Sequence, residues 1–308
     1  MTVGRADVER AREVVAGRVH RTPMLRSTAL GGVWLKAELF QKTGSFKARG
    51  ALTCVSALAE EERWRGVVTW SAGNHAQAVA WASREAGVDC LVAMWQDANP
   101  LKVAATRGYG ATVDTSSADA SAAYELVQEI VERDGRVFVH PHSDPHVVAG
   151  HGTLALEILE DVPGLETIVV GVGGGGLISG IVAAVDGRVR VVGVEPERSP
   201  AFSAGLEAGR SVAVGMDTIA EGLAPPFAGD LPLELCHGRV ETLLVSEDEI
   251  AEGMRFLYSR AKLACEPAGA AAAGAVLSGR VEGGPGVAVV VSGGNVVARE
   301  AAAILAQR

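Results

Sequence analysis

TIVVGVGGGGLISGIVAAV, residues 167–185, runs for nineteen positions without a charge and carries six glycines. Its length is close to that of a membrane-spanning helix, but glycine in a helix interior costs about 0.5–1 kcal/mol relative to alanine. A buried strand over 167–172, a glycine turn and a helix opening at Leu177 explain the same residues better. The β-branched run suits a strand covered on both faces. The glycines leave backbone N–H groups free to close on an anion at a helix N-terminus. The stretch reads as a strand, loop and helix of an α/β protein, and its loop as a phosphate cradle.

Outward from this unit, short β-branched runs alternate with longer amphipathic ones. Strands are predicted over 33–39, 66–70, 89–94, 136–139, 188–195, 241–245 and 286–291 besides the one above. Helices are predicted over 7–19, 46–59, 74–86, 100–107, 118–133, 147–159, 177–185, 247–262 and 267–277, with a capping box at Ser246 and Glu249. In an open parallel sheet, ligands collect at loops leaving the carboxyl ends of strands, which directs attention to those loops.

The 308 residues are enough for one large or two medium domains, and 28 basic against 37 acidic residues give a net charge of -9. That sign opposes binding to nucleic acid or anionic lipid. Cys54, Cys90, Cys236 and Cys265 lie far apart, which suggests neither a zinc site nor a disulfide framework. The charged N-terminus has no apolar segment of the secretory type, so a cytoplasmic protein without a membrane span is expected.

The glycine loop admits two readings. Gly171, Gly173 and Gly176 also fit G-x-G-x-x-G, with Glu195 about twenty residues on, as in a dinucleotide site of a nicotinamide-dependent dehydrogenase. Lysine usage points elsewhere. Five lysines stand against 23 arginines, and arginine cannot serve as an amine nucleophile. Lys47, within QKTGSFKARG at 41–50, is therefore a candidate for amine chemistry.

That run, extended to LFQKTGSFKARGA, closely resembles the pyridoxal-phosphate lysine segment of the serine/threonine dehydratase family, which has a tryptophan-synthase-β-like fold and includes serine racemases. SAGNHAQA at 71–78, the tetraglycine loop at 173–176 and SGGN at 292–295 match in order, so the resemblance covers about residues 21–295. It implies a fold-type II enzyme with two open, twisted, mostly parallel sheets and flanking helices. The larger cofactor domain would comprise 1–65 and 144–308, and a smaller substrate-loop domain 66–143.

The resemblance further implies pyridoxal 5'-phosphate, with Lys47 as its Schiff-base lysine, Phe46 and Gly222 on its two faces, and Asn74 on the 3'-oxygen. Gly173, Gly174, Gly175, Gly176 and Leu177 would hold the phosphate and Ser292 would face the pyridine nitrogen. Ser71, Asn74 and His75 would grip the substrate carboxylate, Ser71 and Lys47 being the catalytic pair; Glu266 matches an acid near the cofactor. A hydroxyl opposite the ring nitrogen gives a weaker electron sink than a carboxylate would, which favours β-elimination. The implied activity is dehydration and deamination of L-threonine or L-serine by a homodimer, with a racemase as the alternative. No metal is expected: two prolines interrupt the histidines of HPHSDPH at 140–146, and Ala201 falls where some relatives supply a second acid beside Glu195.

Overall fold

The computed structural model describes residues 2–306, with ten strands among them. These are β1 (Met24–Ser27), β2 (Val33–Ala37), β3 (Val67–Trp70), β4 (Cys90–Trp95), β5 (Thr112–Ser117), β6 (Val137–Phe138), β7 (Thr167–Gly171), β8 (Arg190–Pro196), β9 (Glu241–Val245) and β10 (Val287–Val291). They form a six-stranded sheet, β1-β2-β10-β7-β8-β9, and a four-stranded sheet, β5-β4-β3-β6. Every pairing is parallel except that of β1 with β2.

All eight predicted strands are present, and β1 and β5 are additional. The central strands are covered on both faces, as their apolar composition requires; β3, β7 and β10 are buried at every position. β10 inserts between β2 and β7, setting Val289 opposite both Leu35 and Val169. The capping box forms: Ser246 Oγ accepts from Glu249 N at 3.2 Å and Glu249 Oε2 accepts from Ser246 N at 2.7 Å. The helix it opens, Glu247–Phe256, gives way to a π-helical turn over Leu257–Ala261 and stops at Lys262, whose φ is 61°.

No helix among the described residues is long and apolar enough to cross a membrane. Residues 167–185 divide instead into β7, a glycine loop and the buried helix Gly176–Val185. Gly180 is there for contact. A Cβ on it would lie 2.4 Å from Val148 O, and one on Gly152 would lie 2.5 Å from Gly180 O, so the helix Pro145–Asp161 crosses backbone to backbone.

A closed charge cluster lies beside that helix. The buried Arg49 donates to Glu38 Oε1 at 2.8 Å and Oε2 at 2.9 Å, and to Glu157 Oε1 at 2.7 Å and Oε2 at 3.0 Å. Lys36 Nζ adds a bond to Glu157 Oε2 at 2.6 Å. Two cations and two carboxylates thus neutralise one another two residues from Lys47. Lysine is therefore also used for charge in this chain, so the scarcity of lysine did not by itself single out Lys47.

Candidate active site

The carboxyl ends of β3, β7 and β10 and the segment before the helix Lys47–Ser56 open onto one cavity of about 880 Å³. Phe46, Lys47, Ser71, Asn74, His75, the glycines at 173–176, Leu177, Gly222 and Ser292 all line it. Segments about 250 residues apart are joined by backbone bonds: Phe46 N donates to Ser292 O at 3.1 Å, and Ser45 bridges Gly293.

Lys47 is half-buried, and its Nζ donates to Pro141 O at 2.7 Å. Burial lowers its pKa to about 8, so a usable fraction is free amine near neutrality. The Phe46 ring centroid lies 5.1 Å from the amine.

The tetraglycine loop is fixed by its surroundings. A Cβ on Gly174 would come within 2.3 Å of His142, one on Gly175 within 2.5 Å of Phe202, and one on Gly176 within 2.9 Å of His142 Cα. Gly175 also has φ +91° and caps the helix Gly176–Val185, whose first residues line the cavity and whose first N–H groups have no partner within the helix. A loop without side chains at a helix N-terminus suits a phosphate.

Across the cavity, Asn74 Nδ2 donates to Glu266 Oε1 at 2.6 Å, and Asn74 Oδ1 accepts from Asn295 Nδ2 at 2.8 Å. One N–H of Asn74 remains available. His75 is buried with Nε2 2.9 Å from Val139 O, so this nitrogen carries the proton. Burial and then Lys47 hold the ring down to about 3. What the loop offers a carboxylate is thus the Ser71 hydroxyl and the backbone N–H groups at the start of the helix Asn74–Ala86.

Glu266, matched in sequence to an acid near the cofactor, lines the cavity and accepts from Asn74. Burial raises its carboxyl to about 7, and the Asn74 hydrogen bond opposes the rise. A carboxyl raised above its unfolded value stabilises the fold below about pH 4.5 and loses that contribution as pH rises through 7. Glu266→Gln keeps an acceptor for Asn74 and removes the titration. Its stability is expected to escape a loss of roughly 2–3 kcal/mol that wild type undergoes between pH 4.5 and 8. Urea unfolding across that range checks this; parallel curves for the two proteins would refute it.

The dehydrogenase reading fails at Glu195. This carboxylate accepts from Phe202 N at 2.7 Å and Ser203 N at 2.8 Å, and from the Ser203 hydroxyl, capping the helix Ala201–Ala208. Both its oxygens are engaged, which leaves it no ribose to hold. No cluster of three metal-ligating side chains occurs among the described residues. His140 Nδ1 accepts from His142 N at 3.2 Å and Ser143 N at 3.0 Å, and so shapes the turn. His142, Pro141 O and Asn295 reach the site through long-range contacts that the sequence reading had not assigned.

Comparison with known proteins agrees with this geometry. The model of the pyridoxal-phosphate dependent enzymes matches residues 15–293. An L-threonine ammonia-lyase of Thermotoga maritima is 45% identical over 300 residues, covering 94% of this chain and 75% of the relative. Among solved structures, a threonine deaminase from T.th. is 38% identical with a TM-score of 0.88, covering 96% of this chain and 99% of that one. The serine racemase of Dictyostelium discoideum is 34% identical with a TM-score of 0.90, covering 96% and 100%. A half-buried amine with a lowered pKa, facing a side-chain-free cradle in which a Cβ has no room, is a donor set that fits pyridoxal phosphate. By sequence, by fold and by the fit of its cavity, the chain belongs to the pyridoxal-phosphate dependent enzymes of fold type II.

Proposed function

We propose that this chain is an ammonia-lyase that dehydrates and deaminates L-threonine or L-serine to a 2-oxo acid and ammonia. The observation that carries the reading is the depressed Lys47 amine, set in one cavity between the tetraglycine loop and the Ser71–Asn74 loop. The likeness to L-threonine ammonia-lyase over 94% of the chain supports the same substrate class.

In this reading the glycines at 173–176 and Leu177 hold the phosphate, Phe46 and Gly222 flank the ring, and Asn74 donates to the 3'-oxygen. Ser292, nearly buried on the cavity wall, faces the ring nitrogen with a neutral hydroxyl. Bound pyridoxal phosphate supplies the electron sink for the pair left when the Cα–H bond breaks. Ser71 and the backbone N–H groups of Asn74 and His75 orient the substrate carboxylate, which presents Cα–H to Lys47. Lys47 Nζ would take the Cα proton as the C–H electron pair expels the β-hydroxyl from the neighbouring carbon, and the departing hydroxide, protonated in turn, would leave as water. Hydrolysis of the unsaturated amine gives the 2-oxo acid and ammonia.

We place the division between domains at 66 and 143, a boundary supported by the four-stranded sheet drawing only on strands between 67 and 138. A homodimer in the cytoplasm belongs to the same proposal. It is supported by the exposed Leu25 and Phe40 and by four buried, free cysteines.

The racemase neighbour favours a second reading, and one residue opposes it. Racemisation requires a proton donor on the face of Cα opposite Lys47. Ala72 follows Ser71 in the loop and lines the cavity, and its methyl group cannot transfer a proton. His75 is held neutral with its one N–H committed to Val139 O. L-serine is expected to give pyruvate with negligible D-serine, and Ala72→Ser to raise D-serine formation to a detectable level. Chiral chromatography with a panel of β-hydroxy amino acids tests both parts. D-serine forming as fast as pyruvate in wild type would overturn the assignment.

A further inference from the structure

The phosphate cradle is bordered by a side chain to which no role has been given. His142 is buried and lines the cavity, and its ring lies directly on the tetraglycine loop. A Cβ built on Gly174 would stand 2.3 Å from His142 Cδ2 and 2.6 Å from Nε2. On the other edge of the ring, Nδ1 is 3.3 Å from Ser143 Oγ and faces Gly229, where a Cβ would approach it to 2.7 Å. Gly229 is tied in turn to the loop, since its N–H donates to Gly174 O at 3.1 Å. The ring is wedged edge-on between the loop and its support, with the His140 ring 4.5 Å away and perpendicular.

This placement suits one tautomer of the ring. Among the described residues the partner of Nδ1 is the Ser143 hydroxyl, which can donate to it; in that tautomer the single proton of a neutral imidazole sits on Nε2. Nε2 has no protein partner among the described residues and belongs to the ring edge lying over Gly174. Burial first, then His140 and Lys47, hold the ring well below the usual histidine range, so it stays neutral. We propose that His142 is a side-chain ligand of the cofactor phosphate, its Nε2–H adding one directed donor to the backbone N–H groups of residues 173–176. The inference rests on the placement of the phosphate proposed above and deepens it: the cradle consists of backbone plus one imidazole.

The test compares two probes on apoenzyme: pyridoxal phosphate, and pyridoxal, which lacks the phosphate. Affinities are read from absorbance and from quenching of tryptophan fluorescence. His142→Phe keeps a flat ring and loses the donor; His142→Ala cannot overfill the space against Gly174. A hydrogen bond to a charged group is worth about 1.5–3 kcal/mol, so each variant should bind pyridoxal phosphate about 10- to 100-fold more weakly. Each should bind pyridoxal within about twofold of wild type. An equal loss for both probes would make His142 a packing residue, and no loss for either would leave the phosphate without this contact; both results overturn the proposal. Wild type that fails to prefer pyridoxal phosphate over pyridoxal would refute the cradle itself, an outcome distinct from variants that retain an existing preference.

Discussion

Lys47→Ala is expected to lower turnover by about 10⁴-fold or more and to yield a protein that is colourless after dialysis against free cofactor. Two functions rest on this one amine: covalent attachment of the cofactor and transfer of the Cα proton, the second alone worth about 10²- to 10⁴-fold. Lys47→Arg separates chemistry from charge. A guanidinium keeps the positive charge in the cavity but has no free amine at any working pH, so it should be as inactive as alanine. Wild type should be yellow, and borohydride should bleach it and leave a reduced adduct on Lys47, located by peptide mass spectrometry. Because burial brings the Lys47 pKa to about 8, the rate at which apoenzyme captures cofactor should rise with pH and level off above 8. An arginine variant with more than about one hundredth of wild-type activity would remove Lys47 from the reaction.

The second large effect concerns stability. Arg49→Leu is expected to destabilise the fold by about 3–5 kcal/mol, because it leaves Glu38 and Glu157 facing each other in the interior with only Lys36 to balance them. For a chain of this size that corresponds to a fall in melting temperature on the order of 10 °C. The sign of the pH dependence is diagnostic. Burial opposes ionisation of Glu38, but the charge and hydrogen bonds of Arg49, helped by Lys36, hold it below the usual carboxylate range. A depressed carboxylate stabilises the fold above its unfolded value near 4.5 and loses that contribution as pH falls through its folded value. Without Arg49 the buried Glu38 is driven to take up a proton, so the gap between variant and wild type should narrow as pH drops from 8 towards 5. A gap that is constant with pH, or below about 1 kcal/mol, would show that the cluster is dispensable.

The sequence was most legible where the interior imposes a pattern. VAVVV in β10 and TIVVG in β7 are buried at every position, and such runs announce themselves. β1 and β5, which the pattern missed, are edge strands: MLRS and TVDTSS face solvent on part of their surface and keep polar residues. The short helices Ala201–Ala208 and Asp230–Cys236 also escaped, being too brief for a helical period to emerge. At the site, four motifs in order brought out Lys47, Asn74, the glycines and Ser292, each carried by a local run. Arg49 with Glu157, and His142 with Gly174, left no such trace, since those partners meet only after the sheet has formed.

The insertion of β10 between β2 and β7 places the last parallel strand at the centre of the larger sheet. A ribosome emits Lys47 early, yet Ser292, which directly follows β10 and whose carbonyl binds Phe46 N, emerges 245 residues after that lysine. At 5–20 residues per second the wait is roughly 10 to 50 s. During that time the apolar faces and free edges of β2 and β7 have no neighbour, and contacts this distant in sequence are slow to close. A nascent chain halted before β10 would present two sticky strand edges and no cofactor site, so synthesis of this protein calls for shielding until β10 has emerged.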